Sequence, residues 1–72
     1  MALNGGADGL NFYRAIAAEA GAHLNSGGFV FLEVGIRQAK DVLSLMQSGL
    51  GTADGGIIND LYGVERVVWV RR

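Results

Sequence analysis

The apolar positions of this chain change their spacing along its length, and each change marks an element. Leu10, Tyr13, Ala17, Ala20 and Leu24 recur at intervals of three and four, Phe12 and Ile16 widen the stripe, and Asn11, Arg14 and Glu19 take the opposite side. That is the period of an amphipathic helix with one buried face, running from residue 9 or 10 to about 24. Asp8 stands where its carboxylate can accept the free N–H groups of the first turn, with Asn11 placed to answer back. Asn25-Ser26-Gly27-Gly28 should then end the helix, because Asn and Gly tolerate the left-handed conformation of a helix exit.

A nearly continuous apolar run follows at residues 29–34, Phe-Val-Phe-Leu-Glu-Val. An unbroken run suits a strand covered on both faces better than a half-exposed one, so a central parallel strand is expected. Gly35 closes it. Ile36, Ala39, Val42, Leu43, Met46 and Leu50 describe a second amphipathic helix whose other side carries Arg37, Lys40, Asp41, Ser44 and Gln47, with Gly49 as the expected stop. Asp54-Gly55-Gly56 precedes a short strand at 57–59, Leu61-Tyr62-Gly63 makes a turn, and residues 65–70 read as the last strand. The expected order is helix, strand, helix, strand, strand, an α/β arrangement.

Composition narrows the picture. At 72 residues the chain holds one small domain, a size at which a single core leaves a few kcal/mol of net stability. Its 50% hydrophobic and 18% charged residues, with mean hydropathy +0.27, exclude a disordered polar tail. Six Lys and Arg against seven Asp and Glu leave no basic footprint for nucleic acid. The chain contains no cysteine, so disulfides and thiolate metal sites are excluded and a reducing cytoplasm fits. No apolar run approaches the roughly 20 residues that span a bilayer, and no basic-then-apolar signal pattern opens the chain. The 12 glycines and the absence of proline mean that glycine makes the turns. The Gly pairs at 5–6, 27–28 and 55–56 sit in unlike surroundings and mark no repeat.

Three clusters carry a resemblance. The segment Ala2-Leu3-Asn4-Gly5-Gly6-Ala7-Asp8-Gly9-Leu10-Asn11-Phe12-Tyr13-Arg14 is similar to A-L-x-G-G-x-D-G-L-x-F-Y-R of the release-factor glutamine methyltransferase (HemK-type) family. Gly27-Gly28 with Leu32-Glu33-Val34-Gly35 is similar to the family's G-G-x-x-x-L-E-[IH]-G, and Asp60-x-x-Gly63-x-Glu65-Arg66-Val67 to its D-x-x-G-x-[DE]-R-V. The clusters fall in the family's order. Ser26 stands where members often have proline, and residues 51–58 are longer and richer in glycine than the usual link.

The resemblance implies a single partial domain over residues 1–72, the C-terminal part of a class I (Rossmann-like) methyltransferase sheet with its last strand antiparallel. It further implies that the intact enzyme takes S-adenosyl-L-methionine (AdoMet) as donor and peptide chain release factors as substrate. The family's cofactor loop follows its first strand and its Asn-Pro-Pro-Tyr motif grips the glutamine amide. Both would precede Met1, and a chain without proline cannot hold that motif. Methyl transfer requires the nucleophile to be positioned against the sulfonium methyl, so the isolated chain is expected to bind no cofactor and to be catalytically dead. Gly5-Gly6-Ala7-Asp8-Gly9 is no substitute, since no strand precedes it within the chain and the G-x-G-x-x-G spacing fails.

Site candidates are therefore few. By the resemblance, Gly5, Gly6 and Asp8 leave the substrate motif, and they either shape the mouth of the intact cleft or serve helix entry alone. Glu33, an acid ending an apolar strand, either lines that cleft at a carboxyl strand end or is a structural acid bonded to backbone or to a basic residue. His23 reads as a cation at a helix C-terminus rather than a ligand, because a metal needs three or four convergent donors. Asp60, Glu65 and Arg66 read as a turn-stabilising ion pair, Phe12, Tyr13 and Trp69 as packed, and Arg71 and Arg72 as solvated. No catalytic or metal residue is nominated.

Two functions stay open: the C-terminal portion of a glutamine methyltransferase, or a non-catalytic module that self-associates or completes a partner's sheet. In the family's sheet order, the strand at 29–34 would have one neighbour inside the chain and one outside it. One edge is then open, with Phe29, Phe31, Val67 or Trp69 facing water according to register, and dimers or higher oligomers are expected through that edge or face.

Overall fold

A computed structural model describes residues 9–35 and 37–72. Its elements follow the expected order: α1 (Asn11–His23), β1 (Phe29–Glu33), α2 (Ala39–Leu50), β2 (Gly55–Asn59) and β3 (Glu65–Arg71). The described residues form a slab of 34 × 31 × 13 Å. The sheet order is β1-β3-β2, with β3 antiparallel to both neighbours. The last strand is thus antiparallel as expected, whereas β1 lies at an edge. A parallel neighbour for β1 is absent among the described residues.

Register assigns the two faces. Val30 opposes Val70 and Leu32 opposes Val68, while Gly55 and Ile57 complete these rows on β2. This is the inner face, and α2 lies on it: Val42, Met46, Val68 and Val70 are all but sealed from solvent. Burying side chains of this size contributes roughly 1.5–3 kcal/mol each, so this layer supplies most of the stability. α1 packs on α2 through Leu10 and Ala17, and Tyr13, Ile16, Ala20 and Leu24 flank the core. The other face carries Phe29, Phe31 and Glu33 of β1, Val67 and Trp69 of β3, and Gly56 and Ile58 of β2. Nothing among the described residues covers it. Phe29 is 51% exposed and Phe31 62%, so β1 is clothed on one face only.

The helix ends depart from expectation in physically clear ways. Asp8, the expected cap of α1, lies outside the described residues, as does Ile36 of the second stripe. Leu10 holds the N-cap position without a side-chain bond, and the reciprocal bond expected of Asn11 rests on Asp8 and so lies outside the described residues; Asn11 Oδ1 accepts from Arg14 Nη1 at 2.9 Å. α1 exits through an extended Leu24, and the left-handed residue is Gly27, inside the following turn at φ 85°. The open carbonyls at this end are taken by Arg72, whose Nη1 donates to Gly21 O and Leu24 O, each at 2.8 Å. Arg72 is exposed, as expected, and also clamps the end of α1. Arg71 lies 3.4 Å from Asp54.

Gly49 is not the stop of α2. The helix runs on to Leu50 and ends at Gly51, left-handed at φ 68°, where Gly51 N–H donates to Ser48 O and Thr52 N–H to Gln47 O. Gly49 faces α1 instead: a Cβ there would stand 2.8 Å from the Ala17 Cβ, and one on Gly21 would run into the Gly49 carbonyl. The Gly-rich stretch before β3 also has a packing role. The Trp69 indole lies over Gly56, where a Cβ would be 2.8 Å from Nε1, so the small residue makes room for the ring and the strand is ordered.

Candidate functional site

The carboxyl end of β1 gathers the chemistry. Antiparallel pairing places the amino end of β3, the β2–β3 hairpin and the start of α1 at the same end of the slab. Of the residues singled out from sequence, Gly5, Gly6 and Asp8 lie outside the described residues. Glu33 is here, exposed, and lines a recess of about 310 Å³ with Val34, Arg66 and Val67. Its main-chain oxygen accepts the Tyr13 hydroxyl at 3.1 Å, which ties the first turn of α1 to this strand end. Among the described residues its carboxylate has no hydrogen bond or ion pair, so the structural partner considered for it is not found there. An exposed carboxylate in a recess can accept N–H groups or pair with a cation.

Tyr13 O–H also reports the direction of the strand's free edge. Val34 N–H donates to Arg66 O and Arg72 N–H to Gly28 O, so the even-numbered residues of this stretch exchange bonds with β3. By alternation, the N–H and C=O groups of Phe29, Phe31 and Glu33 point off the sheet. The edge is therefore unpaired at Phe29 and Phe31 among the described residues. On the inner side of that edge an apolar groove of about 470 Å³ runs between α1 and β1, lined by Ala15, Ile16, Ala20, Leu24 and Val30, with Glu19 and His23 at its end. His23 sits 3.9 Å from the Glu19 carboxylate, exposed in the last turn of α1.

The hairpin is held by one carboxylate. Asp60 Oδ1 accepts Tyr62 N–H at 2.8 Å and Val64 N–H at 3.0 Å, and Oδ2 accepts Arg66 Nε at 2.8 Å. The Arg66 hydrogen bond, then the Val64 and Tyr62 amides, hold the Asp60 carboxyl below its ordinary value despite some desolvation. Gly63 takes φ 81°, and its N–H returns to Asp60 O at 3.1 Å. The expected Asp60–Arg66 pair is thus present. Sequence reasoning missed what the turn displays: Leu61 is 98% exposed and Tyr62 90%. The turn reading implies a surface position but not that both side chains stand almost wholly free of the fold. Phe12, expected to be packed, is also exposed at this end of α1.

The loop between β1 and α2 has one glycine, Gly35, whose N–H donates to Gln38 Oε1 at 3.3 Å. Groups of three or more His, Cys, Asp or Glu able to hold a metal are absent among the described residues. None of the described helices is long and apolar enough to cross a membrane.

Comparison with known proteins decides the family. The chain is 42% identical over 72 residues to a release factor glutamine methyltransferase of Thermodesulfovibrio yellowstonii, covering 99% of this chain and 25% of that protein. Proteins of the same name match at 46% over 67 residues in Geobacter sulfurreducens and at 44% over 71 residues in Cereibacter sphaeroides. These alignments cover 93% and 99% of this chain, and 23% and 25% of those proteins. The chain belongs to the release factor glutamine methyltransferase family. It corresponds to the C-terminal part of those proteins and spans about a quarter of their length. No family model and no solved structure matches.

Proposed function

We propose that this chain supplies the closing part of a protein-glutamine N-methyltransferase that modifies peptide chain release factors with AdoMet as donor, and that alone it is inactive. The observation that carries the reading is the match along nearly its whole length to release factor glutamine methyltransferases. Glu33 is the group we assign to the cleft, because it is exposed at a carboxyl strand end with no side-chain partner among the described residues; Gly5, Gly6 and Asp8 we assign to the same cleft by the family pattern. Inactivity rests on the absence of proline, which leaves this chain without the family's Asn-Pro-Pro-Tyr motif for holding the glutamine amide. The test is a chimaera in which this chain replaces the matching quarter of the Geobacter sulfurreducens relative. Methyl transfer to a release factor by the chimaera, with no AdoMet binding by the isolated chain in calorimetry, is the expected pair of results. A folded but inactive chimaera, or an isolated chain that binds AdoMet, would overturn it.

A second reading, a self-associating or sheet-completing module, is favoured by the outer face. Phe29 and Phe31 stack at 5.8 Å between ring centres and Phe29 lies 6.1 Å from Trp69, an aromatic patch beside an open strand edge. On this reading the isolated chain forms dimers or larger oligomers at micromolar concentration, which light scattering measures. Phe31→Lys should then shift the population to monomer without loss of helix signal, and a parent chain that is monomeric throughout removes the reading.

A further inference from the structure

Leu61 and Tyr62 stand adjacent and almost wholly exposed at the tip of the β2–β3 hairpin, where apolar side chains gain nothing from folding. The turn beneath them is nevertheless among the best-bonded parts of the molecule. Asp60 takes the Tyr62 and Val64 amides and the Arg66 guanidinium, Asp60 N–H returns to Val64 O at 2.8 Å, and Gly63 supplies the left-handed residue. Presenting large apolar groups on a pre-ordered turn lowers the entropy cost of binding, and an exposed aromatic so fixed is the usual anchor of a protein contact. Its place names the partner. Arg66 joins the tip to the recess: its side chain bonds Asp60, its main-chain oxygen bonds Val34, and it lines the cavity with Glu33.

We infer that Leu61 and Tyr62 form a docking point for the body of the protein substrate, which positions its glutamine-bearing loop toward the Glu33 end of the sheet. This rests on the methyltransferase reading, since it takes the substrate to be a folded protein whose surface extends well beyond the reacting side chain. A small-molecule substrate would have no use for a tip outside the recess.

The test uses the same chimaera carrying Leu61→Ser or Tyr62→Ser. KM is measured for a whole release factor and for a short peptide holding its glutamine, thermal unfolding is followed, and binding of the whole factor is measured by calorimetry, which needs no turnover. The expected result is a rise of about tenfold or more in KM and in Kd for the whole factor, with a much smaller change for the peptide. Unchanged values for the whole factor would overturn the inference, as would equal losses on peptide and protein. A clear fall in unfolding temperature would also overturn it, since the tip would then be packed under the rest of the enzyme. Failure of the methyltransferase reading shows separately, as a parent chimaera without turnover.

Discussion

The α1–α2 crossing can be tested at a single atom. Gly49 lies inside α2, where exchanging Gly for Ala ordinarily gains about 1 kcal/mol of helix propensity. Here the added Cβ would stand 2.8 Å from the Ala17 Cβ and 3.1 Å from the Ala17 oxygen, well inside ordinary contact distance. Relief requires the helices to move apart over a core that includes Ala17 and Met46, and overpacking of this kind costs about 1–3 kcal/mol. The clash outweighs the propensity, so Gly49→Ala should lose up to about 2 kcal/mol. Gly21→Ala should lose more, because its Cβ meets the rigid Gly49 carbonyl rather than a methyl group. Ser44→Ala, on the exposed side of the same helix, isolates propensity and should gain a few tenths of a kcal/mol. Urea unfolding at matched slopes reads all three as shifts of the midpoint. A Gly49→Ala protein more stable than its parent would refute the close crossing.

Other predictions follow from single contacts. Arg72→Ala should cost about 1 kcal/mol, because the Gly21 and Leu24 carbonyls at the C-terminal end of α1 lose a cationic donor, and thermal unfolding should show it as a fall of several degrees. Asp60 has a folded pKa below its unfolded value of about 3.8, so its contribution is present above that pH and is lost as pH falls through the lower folded value. Asp60→Asn should flatten that part of the acid unfolding curve; an unchanged curve would remove Asp60 as the cause. Arg37 holds φ 68°, a left-handed conformation costing a side-chain-bearing residue about 1 kcal/mol, so Arg37→Gly should raise the urea midpoint.

Much of the fold was legible because its signals are local. The stripes of α1 and α2, the Asp60–Arg66 turn and the order of the five elements all depend on residues a few positions apart. What stayed hidden depends on distant partners. Gly49 and Gly51 are both plausible stops for α2 by sequence; only the presence of α1 makes Gly49 a packing residue and leaves Gly51 the exit. Arg72 reads as a solvated end, and its clamp on α1 shows only once the chain brings it back to Gly21, 51 residues away in sequence. Gly56 reads as a weak strand former until Trp69 is laid over it. At the site, Glu33 was legible because an acid at the end of an apolar run breaks the local pattern, whereas the near-complete exposure of Leu61 and Tyr62, and that of Phe12, has no signature in the order of residues.

The mismatch at β1 is the most informative of these. Phe-Val-Phe-Leu-Glu-Val is apolar on both faces, the composition of a strand with a layer above, a layer below and a neighbour on each side. The described residues supply one layer through α2 and one neighbour through β3, and leave Phe29, Phe31 and the outward amides uncovered beside an apolar groove. Extending the sheet with a second β1 does not resolve this simply. A two-fold axis normal to the sheet would keep both copies of α1 on the same side, and α1 already reaches the free edge, where Tyr13 bonds the outward Glu33 carbonyl. Two helices need about 8–10 Å between axes, whereas paired strands lie about 4.8 Å apart, so a second α1 has to be accommodated beside the first before the strands can pair. On the self-association reading, the Phe29–Phe31–Trp69 face is therefore the expected contact rather than the β1 edge. A dimer that protects the Phe29 and Phe31 amides from hydrogen exchange would contradict this division, because face-to-face packing leaves those outward N–H groups in water.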